Sequence, residues 1–167
     1  MYIEDLGQYR YNGRFPLPGV CAVGWLSPAY AFPAEQVRLA GFLEKLTLLA
    51  ARKRVNQTRG FHRCEFCTQA DIGVESGLVE RRLGAAAFTV PGPNRLFAAP
   101  DLVVHYVRDH RYVPPPAFVD AVKTLDLATW NPPRDFGLTL YRRSLEGPEP
   151  VNSDGTALPA EGGDRWK

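Results

Sequence analysis

The chain has 167 residues, 45% of them hydrophobic and 23% charged, with a formal net charge of +2 at pH 7. That length suits one domain able to bury a core, and so small a charge excess argues against a strongly basic nucleic-acid binder. Three cysteines do not suit a secreted disulfide framework, the polar start MYIEDLGQYRYNG lacks a signal pattern, and no apolar run approaches the ~20 residues that span a bilayer, so the expectation is a soluble cytoplasmic protein with no membrane partner.

Met1–Arg14 carries Tyr2, Tyr9 and Tyr11 among polar residues and reads as a short strand or packed arm covering the edge of a core. FPLPG at Phe15–Gly19 reads as a turn, and the apolar run Val20–Leu26 as a buried strand. Cys21, inside that run, is expected to be a small buried hydrophobe. After a turn-rich connection at Ser27–Ala34, the spacing of Leu39, Phe42, Leu43, Leu46, Leu49 and Ala50 predicts a helix over about Glu35–Lys53. Glu35 near its start and Arg52, Lys53 and Arg54 at its end match the helix dipole, which makes this basic cluster a solvated helix end. Arg59 and Arg63 extend the cluster and are candidate anion contacts.

Phe61–Cys67, FHRCEFC, alternates like a strand entering a metal knuckle. Thr68–Leu83 lacks a period and reads as a loop or a poor edge element. Gly84–Ala98 reads as a hairpin turning at Pro91-Gly92-Pro93-Asn94. Pro100 is placed to open a helix running to about His110, with Asp101 in its first turn. Val113-Pro114-Pro115-Pro116 breaks it, and a last helix spans about Pro116–Leu125. Phe136–Arg143 alternates weakly, as an edge strand would, and the polar stretch 147–167 reads as a mobile tail behind a single domain at 1–146. These elements predict an α+β fold with a few short antiparallel strands and three helices.

The chemistry concentrates in two pairs. Cys64 and Cys67 form C-x2-C; His105 and His110 form H-x4-H. Two thiolates from a tight turn and two imidazoles from a helix end fit a closed tetrahedral zinc site, a zinc-finger-like clamp. On an ideal helix a five-residue step separates two side chains by about 140°, so His110 is expected where the last turn unwinds. His62 is an alternative ligand, a group behind the ligands, or a surface residue. Phe61, Phe66, Tyr106 and Tyr112 are expected to pack around the site.

YIEDLGQY at Tyr2–Tyr9, VGWL at Val23–Leu26, RGFHRCEFC at Arg59–Cys67 and AAPDLVVHYVRDHRYVPPPAFVDAV at Ala98–Val122 together resemble a widespread bacterial domain family of unknown function. Its pattern is H-x-C-x-x-C, then Ala-Pro, HYV, H-x-Y and a Pro-Pro-x-Phe helix start. The matching positions here are His62, Cys64, Cys67, His105, His110, Tyr112, Pro115 and Phe118. The resemblance covers roughly Met1–Leu125 and implies the site, not a reaction.

No catalytic signature stands out: there is no G-x-S-x-G, H-E-x-x-H or phosphate-binding loop. The expectation is therefore a non-catalytic, zinc-stabilised protein that binds another protein, as a regulator or an immunity-type module. A zinc-dependent hydrolase, with Glu65 or His62 as base, is the first alternative. A nucleic-acid-binding zinc protein using Arg52, Lys53, Arg54, Arg59 and Arg63 is the second.

Overall fold

The structure is a computed structural model that describes residues 1–11, 15–35, 41–69, 71–77, 79–132 and 136. Its elements are β1 (Gln8–Tyr11), β2 (Phe15–Ala22), α1 (Phe42–Arg52), β3 (Arg54–Val55), β4 (Gly73–Ser76), β5 (Val79–Arg82), β6 (Ala87–Pro91), β7 (Leu96–Pro100), α2 (Val103–Asp109) and α3 (Pro116–Thr124). This is an α+β fold. A five-stranded sheet has the order β1-β2-β7-β6-β3, and β4 and β5 form a separate antiparallel ribbon. Within the large sheet β2 and β7 run parallel, while the other neighbours are antiparallel.

Strand alternation divides the buried residues into two cores. Phe88 and Val90 of β6, with Phe97 and Ala99 of β7, join the helices' buried faces in one core. Ala87 and Ala98 turn the other way and meet Tyr9, Leu17, Val20 and Phe136. In the first core Phe118 of α3 packs edge-on against both Phe42 of α1 and Phe97, at ring-centroid distances of 6.3 and 5.7 Å. Each such ring pair adds roughly 0.5–1.5 kcal/mol beyond the area it buries. Lys45 of α1 ties down the end of α3, its Nζ donating to the carbonyls of Lys123 and Leu125.

Several expectations are corrected. FPLPG is not a turn but the first half of β2. Pro16 and Pro18 are tolerated there because that half pairs only with β1; β7 joins the strand at Val20–Ala22. The strand does not continue to Leu26. It ends at Ala22, and Gly24 takes a left-handed φ of 73° against Val103, where a Cβ would lie 2.5 Å from Cγ2. Helix α1 starts at Phe42 rather than Glu35, behind Gly41 at φ 72°. Glu35 is outside the helix, its N–H bonded to the carbonyl of Arg111, and residues 36–40 lie outside the described residues. The acidic residue in the first turn of α1 is Glu44.

Thr68–Leu83, expected as a loop or poor edge, contains the β4–β5 ribbon, with Val74 buried against the first core. The hairpin is present as β6–β7 but extends through Pro100, so that proline closes a strand and α2 opens only at Val103. The segment Phe61–Cys67 is irregular rather than a strand. Phe61 does not pack around the thiols: it is exposed and capped by the Arg82 guanidinium, 4.3 Å from its ring centroid. Tyr9 is buried, whereas Tyr2 is exposed and stacks on Tyr30. Cys21 is half-buried, with Arg95 Nη1 3.7 Å from its sulfur. Helix α3 and its proline start fall where the sequence placed them. Phe136 is buried beside Tyr9, and the rest of the predicted strand 136–143 and the stretch 147–167 lie outside the described residues. Among the described residues no helix is long and apolar enough to cross a membrane.

Candidate metal centre

The fold brings Cys64, Cys67, His105 and His110 together, with one ligand atom from each all within 4.8 Å of one another. Cys64 Sγ lies 3.3 Å from His110 Nε2, Cys67 Sγ lies 3.4 Å from His105 Nε2, and the two Nε2 atoms are 3.0 Å apart. Zinc–sulfur and zinc–nitrogen bond lengths in a regular tetrahedron place a sulfur and a nitrogen about 3.6 Å apart and two nitrogens about 3.4 Å apart. These three distances are slightly shorter and have the same order. With all four atoms within 4.8 Å of one another, the donors are close enough to surround a single ion.

Local structure explains how each donor arrives. Cys64 is buried, and its sulfur accepts the N–H of Phe66 at 3.4 Å, which curls the chain so that Cys67 returns to the same point. Main-chain bonds from Thr58 N–H to the Ala85 carbonyl and from His62 N–H to the Gly84 carbonyl, both 2.7 Å, hold this segment to the chain just before β6. Gly84 sits at φ 98°, and a Cβ there would overlap the His62 carbonyl, so the approach requires glycine. On the other side, α2 ends at Asp109, and His110 is its non-helical cap at φ −109°, ψ 7°. Leaving the helix removes the angular mismatch of the five-residue step and brings the rings to a centroid distance of 4.7 Å. Arg111 then takes a left-handed φ of 57°, and Tyr112 N–H returns to the Tyr106 carbonyl.

Three interactions around the ligands were not anticipated. His105 Nδ1 faces Asp109 Oδ2 at 2.5 Å, an i,i+4 contact that favours the proton on Nδ1 and leaves Nε2 beside Cys67 Sγ and His110 Nε2. Arg108 hydrogen-bonds the same carboxylate and holds its pKa below the usual range. Burial lowers the pKa of His105, against the pull of Asp109, and so favours a neutral ring. Burial likewise pushes the Cys64 thiol up. Asp101, expected in a helix's first turn, is instead almost wholly buried and accepts the N–H groups of Gly84, Ala85 and Ala86 while pairing with Arg54 at 3.3 Å. Arg54 thus belongs to β3 and an internal ion pair, not to a solvated helix end. Third, Tyr112 donates to Asp5 Oδ2 at 2.7 Å, and Asp5 Oδ1 accepts Gly24 N–H at 2.8 Å, so the N-terminal arm is tied to the chain leaving the centre. The i,i+4 spacing of His105 and Asp109 was a readable signal; the contacts of Asp101 and Asp5 depend on distant pairing.

Phe66 packs edge-on against Tyr106 and tilted against His110, both with ring centroids 5.5 Å apart. His62 is exposed and outside the four-residue group, and Arg59 and Arg63 are also exposed. Within the basic cluster Lys53 bonds Asn131 Oδ1, and Arg54 pairs with the buried Asp101. No curated protein and no solved structure matches the chain. A family model does match, over residues 1–123, which include all four of these side chains. The chain belongs to the family described as Domain of unknown function (DUF7919).

Proposed function

We infer that Cys64, Cys67, His105 and His110 hold one zinc ion as a closed structural centre, and that the protein is a non-catalytic module whose role is to bind another protein. The observation carrying this reading is that four soft or borderline donors, two of them almost fully buried, lie within 4.8 Å of one another. Four protein ligands complete a tetrahedron, which leaves no position for an activated water. Asp109 behind His105 is the usual orienting partner of a zinc-bound imidazole. The protein-binding role is the reading for a metal used to hold a surface in shape rather than to react.

Elemental analysis of protein purified without added metal tests the centre, with one zinc per chain expected. Cys64→Ser and His110→Ala are each expected to lose the metal and the cooperative melting transition together. Cobalt-substituted protein is expected to give a tetrahedral spectrum unaltered by added anions; a spectrum that shifts with anions means an open position and overturns the non-catalytic reading. A pull-down from the native host that recovers no stable protein partner removes the binding role.

A further inference from the structure

Beside the centre lies a cavity of about 560 Å3, within the ~300–1,000 Å3 typical of small-molecule sites. Its floor, Gly84–Ala87, has almost no side-chain bulk, and His62, Arg63 and Glu65 line it alongside. Their segment is tethered: Cys64 belongs to the Cys/His group, and His62 N–H is bonded to the Gly84 carbonyl. Trp25 and Tyr9 also line the cavity and are themselves anchored, Trp25 by donating its indole N–H to the Ala98 carbonyl and Tyr9 by accepting Asn56 Nδ2. A cavity whose walls are held by their own bonds needs little ordering when a ligand enters.

The polar groups lining it are distinctive. Among the described residues the side chains of His62, Arg63 and Glu65 form no hydrogen bond or ion pair, although all three line the cavity and are exposed. A guanidinium offers a fork of donors matched to a carboxylate or phosphate. The imidazole next to it adds a further donor, and the Glu65 carboxylate accepts from an N–H on the ligand.

We propose that this cavity binds a small molecule with a flat N–H-bearing ring and one anionic group, the ring entering between the aromatic wall and the small-residue floor and the anion held by Arg63. The site goes beyond the structural role assigned to the metal, and none of the residues that recognise the ligand is a metal ligand.

The test uses the full chain as purified, with metal content measured in every sample. Backbone-amide NMR and calorimetry follow titration with indole-3-acetate (a carboxylate probe), adenosine 5′-monophosphate (a phosphate probe) and neutral indole. One of the two anions is expected to bind with a Kd below about 1 mM, to shift the amides of Ala85–Ala87, and to bind at least about tenfold more tightly than indole. Which anion binds identifies the headgroup. Arg63→Ala is expected to weaken that binding about tenfold or more with metal content and melting temperature unchanged. Ala86→Leu, which fills the cavity without changing charge, is expected to abolish it. If neither anion perturbs these amides, or Arg63→Ala binds as well as the natural chain, the proposal is wrong, whatever the metal content proves to be.

Discussion

At the scale of single residues the proposed centre depends as much on Asp109 as on Cys64, Cys67, His105 and His110. The carboxylate fixes which nitrogen of His105 carries the proton, and Arg108 keeps the carboxylate ionised. Asp109→Asn is expected to preserve the fold while lowering metal affinity about 10- to 100-fold, as loss of an orienting partner does in other metal sites; competition with a coloured chelator measures it. A second residue-scale device is the Tyr112 hydroxyl on Asp5. Burial and the Asp5 carboxylate push the phenol pKa far upward, so the hydroxyl stays a donor at any working pH. Tyr112→Phe removes the hydroxyl donor to Asp5 Oδ2, keeps the Gly24 N–H bond to Oδ1, and is expected to cost about 1.5–3 kcal/mol, the range for hydrogen bonds to charged groups. Equilibrium unfolding in urea would show the loss as a lower midpoint.

At the scale of elements, Asp101 joins β3, the start of β6 and the β7–α2 corner. Its two oxygens accept three consecutive backbone N–H groups and one guanidinium. Burial raises its pKa, against the opposing effect of those four donors. Asp101→Ala would leave the donors and Arg54 without their acceptor, and a loss of about 3–5 kcal/mol is expected, the size of a broken buried ion pair. Unfolding of this variant with a midpoint like that of the natural chain would refute the role.

Sequence legibility differs between elements for the same kind of reason. The β6–β7 hairpin and α3 are written in local chemistry, Pro-Gly-Pro-Asn at one turn and a proline at a helix's first position. The four metal-type side chains are legible because C-x2-C and H-x4-H name their own chemistry. Strand β2 is not, because two prolines are acceptable only if one neighbour is absent along that half, which is a property of the sheet. The β4–β5 ribbon is hidden for a similar reason: its Arg81 and Arg82 are exposed on strands that pair only with each other. Asp101 reads as a helix-start acid until the chain before β6 is folded against it.

At the scale of the whole molecule, the metal reading has a definite pH dependence. Each thiol must lose its proton to become a ligand, and burial makes that harder for Cys64 in the metal-free protein. Two protons leave per ion bound, so while both thiols are protonated the apparent affinity is expected to rise about a hundredfold per pH unit. Acidification returns protons to the sulfurs, releases the ion and removes its contribution to stability. Melting temperature measured against pH, with and without chelator, should show the two curves converging at low pH.

The two halves of the centre are far apart in sequence and unequal in attachment. Contacts across it span 38 and 46 residues, yet one half is a regular helix end and the other an irregular segment pinned by two main-chain bonds. The thiol half is therefore the door. Ion exchange with the surroundings is expected to proceed by that short segment swinging away while the sheet stays intact, so hydrogen exchange at residues 61–67 should quicken on chelation long before the amides of β6 and β7 do.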